Sequence, residues 1–446
     1  MLESYFILSG TGEVLIEKHW RGLTPRTVCD YFWEQVSSYR QKDEAPPIMS
    51  HGRYYLLSIH RNNMFMLATT TVETAPLPTL EFLHRVFDTF EIYFTSVDET
   101  NIKNNFATVY QLLEEMVDFG YPLTTEPNAL RVLIKPPSII SRLAKVVSGG
   151  SEGGMISDVL PDGTVSNMPW RQTNISYNTN EIYLDLVEEV DSLLTVDGLI
   201  ISSDVSGVIL GNSKLSGIPD LALQFKDPSL IDDCSFHPCV RYNRFDREKI
   251  VSFVPPDGPF ELMRYRVNKR DGQPCVAPCY ASPKLHYDFT NNKGNVTILV
   301  GARSTSSLLF PGGNSSSATV ENVVVTLPFP KIVRTANLQV SQGTVLYDES
   351  TKIAKWTIGT LAAQQTLQLT GTMLLTSMPV SGGGSSTYHN HTGAEEYPPM
   401  QLEWTVMLAS LSGMGIASLT LARESYKPYK GVRSIAKSGR FFVRTA

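Results

Sequence analysis

The chain reads as an α+β unit followed by an all-β sandwich, and three observations carry that reading. Strand-like runs give way to helical stripes before Gly120. Between about Pro136 and Trp170 the composition turns to glycine, serine and proline. Beyond Asn180, short strand-like runs alternate with Gly, Pro, Asn and Ser turns, with no long amphipathic helix. At 446 residues the chain is also too long for one core, so two or three domains are expected.

In the first 140 residues, Tyr5–Leu8, the turn Gly10-Thr11-Gly12 and Val14–Ile16 predict a hairpin. A helix is predicted from about Thr24 to Arg40, with Val28, Phe32, Val36 and Tyr39 on one face. Tyr54–Ile59 and Met64–Ala68 follow as strands joined by Arg61-Asn62-Asn63. Pro76 and Pro78 open a helix whose stripe is Leu80, Phe82, Leu83, Val86, Phe87 and Phe90. A second stripe, Ile102, Phe106, Val109, Leu113 and Met116, predicts another helix ended by Gly120. A small antiparallel sheet packed against helices is expected.

The run Ser148–Gly154 buries little and reads as part of a linker over 141–170. In the second half, Asn295–Val300, Val320–Leu327 and Leu367–Thr370 are typical strand runs. Two low-complexity loops, 312–317 and 381–386, interrupt them.

Hydrophobic residues at 42% and charged residues at 18% are ordinary for globular protein. The net charge of −6 argues against nucleic acid as a partner of the whole chain. A local basic run exists near the C-terminus: Arg423, Lys427, Lys430, Arg433, Lys437, Arg440 and Arg444 against the single acid Glu424. No signal peptide and no apolar stretch of spanning length is read. Five cysteines, an odd number, suit a reducing cytosol.

One stretch goes beyond composition. Asp232-Asp233-Cys234-Ser235-Phe236-His237-Pro238-Cys239-Val240-Arg241, then Ser252–Gly258 and Phe260–Arg266, resembles the middle of a medium (mu) subunit of the clathrin-adaptor type. The likeness runs from Met1-Leu2-Glu3 to the last strand. Within that family, Tyr426–Lys430 with Gly431, Ser166–Arg171 and Val187–Val190 are most similar to the adaptor-complex-3 branch. The resemblance implies a longin-like assembly domain over 1–140, a flexible linker over 141–170, and an immunoglobulin-like mu homology sandwich over 171–446. It implies a heterotetramer with two large subunits and one small one, without cofactor, metal or catalytic residue. That complex selects membrane-protein cargo at trans-Golgi, endosomal and vesicle membranes, toward lysosome- or vacuole-related organelles. Recruitment by an Arf-type GTPase and contact with anionic lipids are further implications.

The family reads Tyr-x-x-Φ peptides (Φ a bulky apolar residue), which add as an extended strand. Two segments match its pockets, Asn180–Asp185 and Lys430–Arg433. The resemblance places the cargo tyrosine against Tyr183, Asp185, Gly431 and Arg433. It places Φ against Ile182, Leu184, Ile416, Leu419, Lys430 and Val432. Strand alternation is coherent with this, since Tyr183 and Asp185 share one face and Ile182 and Leu184 the other. Asp185 would accept the phenol proton, with Arg433 holding it ionised. Ile416 and Leu419 are three apart and share a face only if the strand bulges. Some family members carry Trp where Gly431 stands and Lys where Asn212 stands, so a weakened or altered motif preference is expected here.

Cys234 and Cys239 with His237, and Cys275 with Cys279, lack tight zinc spacing, and the cysteines read as buried thiols. One rival reading is a mu-like coat subunit with a silent peptide site. Another is a β-rich hydrolase using Glu188 and Glu189, which adjacent strand positions would point apart.

Overall fold

The computed structural model describes residues 2–39, 42–94, 96–134, 136, 168–172, 174–268, 277–288, 290–303, 319–362, 365–376 and 397–445. The linker residues 141–167 and both low-complexity loops lie outside them. The chain divides into two compact units, Met1–Thr173 and Asn174–Ala446.

In the first unit, β1 (Ser4–Leu8), β2 (Val14–His19), β3 (Ile48–His51), β4 (Tyr54–Arg61) and β5 (Met64–Thr70) form an antiparallel sheet. Its order is β2-β1-β5-β4-β3. All of β1 is buried because the sheet is covered on both faces. Phe6 and Leu8 pack with Val28, Phe32 and Val36 of α1 (Thr27–Ser37). Tyr5 and Ile7 pack on the opposite side, with Phe82, Val86 and Phe90 of α2 (Pro76–Tyr93).

The stripe from Ile102 to Met116 is two helices, α3 (Glu99–Asn104) and α4 (Phe106–Met116). Asp98 caps α3 by accepting from Asn101 N at 2.9 Å. Asn105 breaks the run, donating its side-chain amide to the Asn101 carbonyl at 2.8 Å. The break leaves Phe106 57% exposed, so it is not the core residue its spacing suggested. Tyr39 lies beyond the end of α1 and is exposed too. The strand β3 escapes the sequence pattern because, on the sheet edge, it buries little. After α4 comes a hairpin of β6 (Val117–Asp118) and β7 (Tyr121–Pro122), turned at Phe119 and Gly120, both at positive φ. The short α5 (Pro127–Leu133) follows.

The second unit opens with the long strands β8 (Glu181–Leu194) and β9 (Ile200–Lys214), then β10 (Asp220–Phe225) and β11 (Ile231–Phe236). A single turn-like helix, α6 (Tyr242–Glu248), precedes β12 (Ile250–Phe253) and β13 (Gly258–Val267). The next strands are β14 (Cys279–Asp288), β15 (Lys293–Ala302), β16 (Val320–Pro328), β17 (Val333–Val340), β18 (Thr344–Asp348), β19 (Ile353–Leu361) and β20 (Thr366–Leu375). The chain closes with β21 (Met400–Met407), β22 (Ile416–Ala422) and β23 (Tyr429–Val443). They build a nine-stranded sheet, β11-β13-β9-β8-β23-β21-β16-β19-β18, a four-stranded sheet, β14-β15-β20-β17, and a three-stranded sheet, β12-β10-β22.

Strands of the four-stranded sheet and the β16–β19–β21 region share one core, which includes Ile298, Val325, Trp356, Leu369 and Trp404. It is a sandwich of antiparallel sheets. Among the described residues one ladder departs from that rule: β8 runs parallel to β23. That pairing brings the last strand against the first strand of the unit.

Candidate peptide-binding site

The parallel register sets Tyr429 beside Glu181, Gly431 beside Tyr183 and Arg433 beside Asp185. Residues two apart share a face, so Glu181, Tyr183 and Asp185 present one polar surface. Arg433 donates to Asp185 through Nε at 2.8 Å and Nη2 at 2.6 Å, a two-pronged pair. The hydrogen bond from that pair, and then its charge, raise the guanidinium pKa above its ordinary value.

Tyr183 is partly exposed, and its hydroxyl donates to Glu181 Oε2 at 3.2 Å. Lys214 Nζ donates to Glu181 Oε1 at 3.0 Å, and this bond lowers the Glu181 pKa. The Tyr183 phenol is raised, by desolvation first and by Glu181 second. Its ring stands 5.7 Å from that of Tyr429 and lies over Gly431. A Cβ at Gly431 would meet Tyr183 Cδ1 at 2.5 Å, so glycine is what lets the ring settle there. Asn212, across from Tyr183 on β9, is exposed.

On the opposite side, Ile182 and Leu184 have no solvent exposure. They form the layer beneath the aliphatic side and are not an open wall. Val432 is 44% exposed and Lys430 is exposed. In β22, Ile416 pairs with Phe225 while Ser418 pairs with Gln224, so Ala417 is the extra residue of a bulge. That bulge sets Ile416 and Leu419 opposite Phe225 and Leu223, two apart on β10, and so on one face. Lys430 Nζ donates to the Leu419 carbonyl at 2.5 Å, linking β23 to β22.

β21 pairs with β23 only up to Ile435. Among the described residues, the stretch 429–434 has no strand partner on that side beyond one bond from Ala409 N to the Ser434 carbonyl, 3.1 Å. A groove of about 360 Å³ lies farther along the same sheet, against Val187, Ser206, Arg264 and Lys437. None of the ten expected site residues lines it.

The C-terminal basic run is largely matched by acids that its sequence neighbourhood does not contain. Arg433 pairs with Asp185, Lys437 with Glu189 at 2.9 Å and Arg440 with Asp191 at 2.9 Å. The spacing of four from 185 to 189 and from 433 to 437 keeps the ladder in step. Glu188 and Glu189 do face apart: Glu189 meets Lys437, and Glu188 is buried against Ser410 and Ser412. Cys234, half-buried, and Cys279, buried, are free thiols, and His237 Nδ1 accepts from Cys239 N at 3.0 Å. Among the described residues no group of three metal-type ligands forms.

Comparison with known proteins gives a consistent picture. The profile of the adaptor complexes medium subunit family matches residues 168–445, and that of the clathrin adaptor complex small chain matches residues 3–135. The AP-3 complex subunit mu of Dictyostelium discoideum is 40% identical over 448 residues, covering all of both chains. The AP-3 complex subunit mu-1 of Homo sapiens is 37% identical over 446 residues, again covering both in full. A chain in a homology model of the full-length AP-3 complex in an intermediate open conformation matches along its whole length, with TM-score 0.57 and 16% identity.

Proposed function

The chain belongs to the adaptor complexes medium subunit family, and from that premise we propose that it reads Tyr-x-x-Φ sorting peptides on the open stretch of β23. As an adaptor-complex medium subunit it serves vesicle-mediated transport alongside other adaptor subunits. The peptide adds as a strand against 429–434, its backbone meeting the unpaired edge. Its tyrosine lies toward Asp185 and Arg433, with Tyr183 as an aromatic wall. Its Φ residue, three positions on and so on the other face, enters between Val432 and the bulged end of β22.

The observation that carries this reading is the Asp185–Arg433 pair, held by a parallel ladder beside an edge that, among the described residues, has no strand partner over 429–434. The rival, a coat subunit with a silent site, draws on one observation, the full burial of Ile182 and Leu184. On our reading those two side chains support the Φ position from below. Calorimetry of the full chain with Tyr-x-x-Leu and Ala-x-x-Ala peptides decides between the two. Saturable binding of the first alone is expected; no binding of either leaves the coat role.

In the first unit, Phe119, Tyr121 and Leu123 are each more than half exposed around the β6–β7 hairpin. Apolar residues gathered this way mark a protein contact. We assign them to the large and small adaptor subunits. By the same reading the complex works peripherally on trans-Golgi, endosomal and vesicle membranes, with delivery toward lysosome- or vacuole-related organelles. Arf-type recruitment belongs to the same proposal. Attraction of the C-terminal cations to anionic lipid is reduced, since Arg433, Lys437 and Arg440 already face acids.

A further inference from the structure

The buried face of β8 runs Ile182, Leu184, Leu186, Glu188, Val190, one carboxylate in an aliphatic row, and Glu188 is 1% exposed. Its partners across the sheet are small, Ala436 on β23 and Gly207 on β9, which leaves room beside it. Next along, Tyr265 of β13 lays its ring over Gly207, where a Cβ would come within 2.2 Å. The Tyr265 phenol is buried beside Glu188, and desolvation first, then the carboxylate's charge, push its pKa well up. An acid in such a place is heavily penalised unless its oxygens are satisfied.

They are satisfied by one short segment. Glu188 Oε1 accepts from Ser410 Oγ at 3.0 Å and from the Ser412 hydroxyl. Oε2 accepts from Leu411 N at 2.8 Å and Ser412 N at 3.2 Å. The Ser412 hydroxyl in turn accepts from Met414 N at 2.9 Å. This segment lies in the connection from β21 to β22. Its ends are pinned as well, Ala409 N to the Ser434 carbonyl at 3.1 Å and Lys226 N to the Gly415 carbonyl at 2.8 Å. The next residue, Ile416, begins β22 at its bulge.

We propose that Glu188 is a positioning residue of the peptide groove: it holds 410–412 and thereby fixes where β22 begins relative to the open stretch of β23. This rests on the peptide reading above and adds to it. Glu188 touches no cargo. It sets the distance between Ile416, Leu419 and Val432, and therefore the fit of the Φ side chain. One strand carries both acids, Asp185 on its outer face for the tyrosine and Glu188 on its inner face for the wall of the Φ position.

The test uses the full chain and Glu188→Ala, with hydrogen exchange and calorimetry against Tyr-x-x-Leu and Tyr-x-x-Ala peptides. Loss of charge-assisted bonds should speed exchange at Leu411 and Ser412 by ~10-fold or more while core amides such as Trp356 stay protected. Affinity for the Leu peptide should fall by ~10-fold and affinity for the Ala peptide should not change. Glu188→Gln should restore both readouts, because the two serine hydroxyls can reverse and accept from the new amide while its oxygen keeps the backbone donors. If Glu188→Ala does not fold, the pair Ser410→Ala and Ser412→Ala removes two donors and leaves both backbone bonds. It should move the same readouts in the same direction, by a smaller factor. Unchanged exchange at 411 and 412 would overturn the anchor alone. Equal loss for both peptides, or loss of core protection together with the loop, would make Glu188 a fold residue and overturn the proposal. A wild-type chain that binds neither peptide would overturn the peptide reading itself.

Discussion

Replacing Asp185 by serine separates recognition from folding. In the folded chain the carboxylate accepts both guanidinium bonds from Arg433, but Arg433 is 54% exposed and Asp185 23%. A pair this open to solvent contributes about 0–1 kcal/mol to stability, and neither partner is left buried and alone when it is broken. Asp185→Ser should therefore lower unfolding stability by no more than ~1 kcal/mol. Binding is affected more strongly. Two of about four lone-pair positions on the carboxylate face Arg433, leaving room for the phenol hydroxyl of a cargo tyrosine. That charge-assisted bond is worth ~1.5–3 kcal/mol, roughly 10- to 150-fold in Kd. The assay is calorimetry of the wild type and variant with Tyr-x-x-Leu and Phe-x-x-Leu peptides, alongside chemical denaturation. Each single change should lose a similar amount, and both together little more, because one interaction is removed in each case. Phosphotyrosine should bind worst, its added charge facing the same carboxylate. Simple addition of the Phe and Asp185 effects would refute the reasoning, as would a stability loss of several kcal/mol.

Three further outcomes are expected. Leu184→Ser, at a fully buried position, should destabilise the chain by about 3–5 kcal/mol in denaturant titration; a change in peptide affinity with stability intact would instead make Leu184 an exposed wall. Gly431→Ala places a methyl 2.5 Å from Tyr183 Cδ1, so the ring must leave Tyr429 and give up about 0.5–1.5 kcal/mol of aromatic contact; unaltered Tyr183 ring resonances in the NMR spectrum would rule this out. Leu123→Asp, at an exposed position in the first unit, should abolish co-purification with a large adaptor subunit while leaving the unfolding midpoint in place; undiminished co-purification would move that contact elsewhere.

The alternation along β8 is legible in the chain because a strand's period follows from covalent geometry. The neighbours of that strand are not. Arg433 meets Asp185 across 248 positions, and a ladder between such distant segments leaves no local trace. Family likeness, not periodicity, brought the two segments together. The same blindness hid Glu189 and Asp191 from the basic run that they balance. Asn105 divides a stripe whose spacing alone favours one helix, since a capping residue at Asp98 and a side-chain bond at Asn105 outweigh periodicity over one turn. Glu188 did leave a signal, an acid at an even position in an otherwise apolar row. Reading it required knowing which face of β8 is inside. Tyr183 lying over Gly431 was legible only as the absence of a larger side chain there.

On the proposed reading a cargo strand is received by residues 429–434. Hydrogen exchange of the full chain, with and without a saturating Tyr-x-x-Leu peptide, tests it most directly. Strand addition should slow exchange at alternate amides within 429–434, whose outer edge has no strand partner among the described residues. Amides of β11, on the far edge of the same sheet, should be unaffected. Protection of β11 with none at 429–434 would contradict the account, and so would binding that leaves both edges exchanging as before.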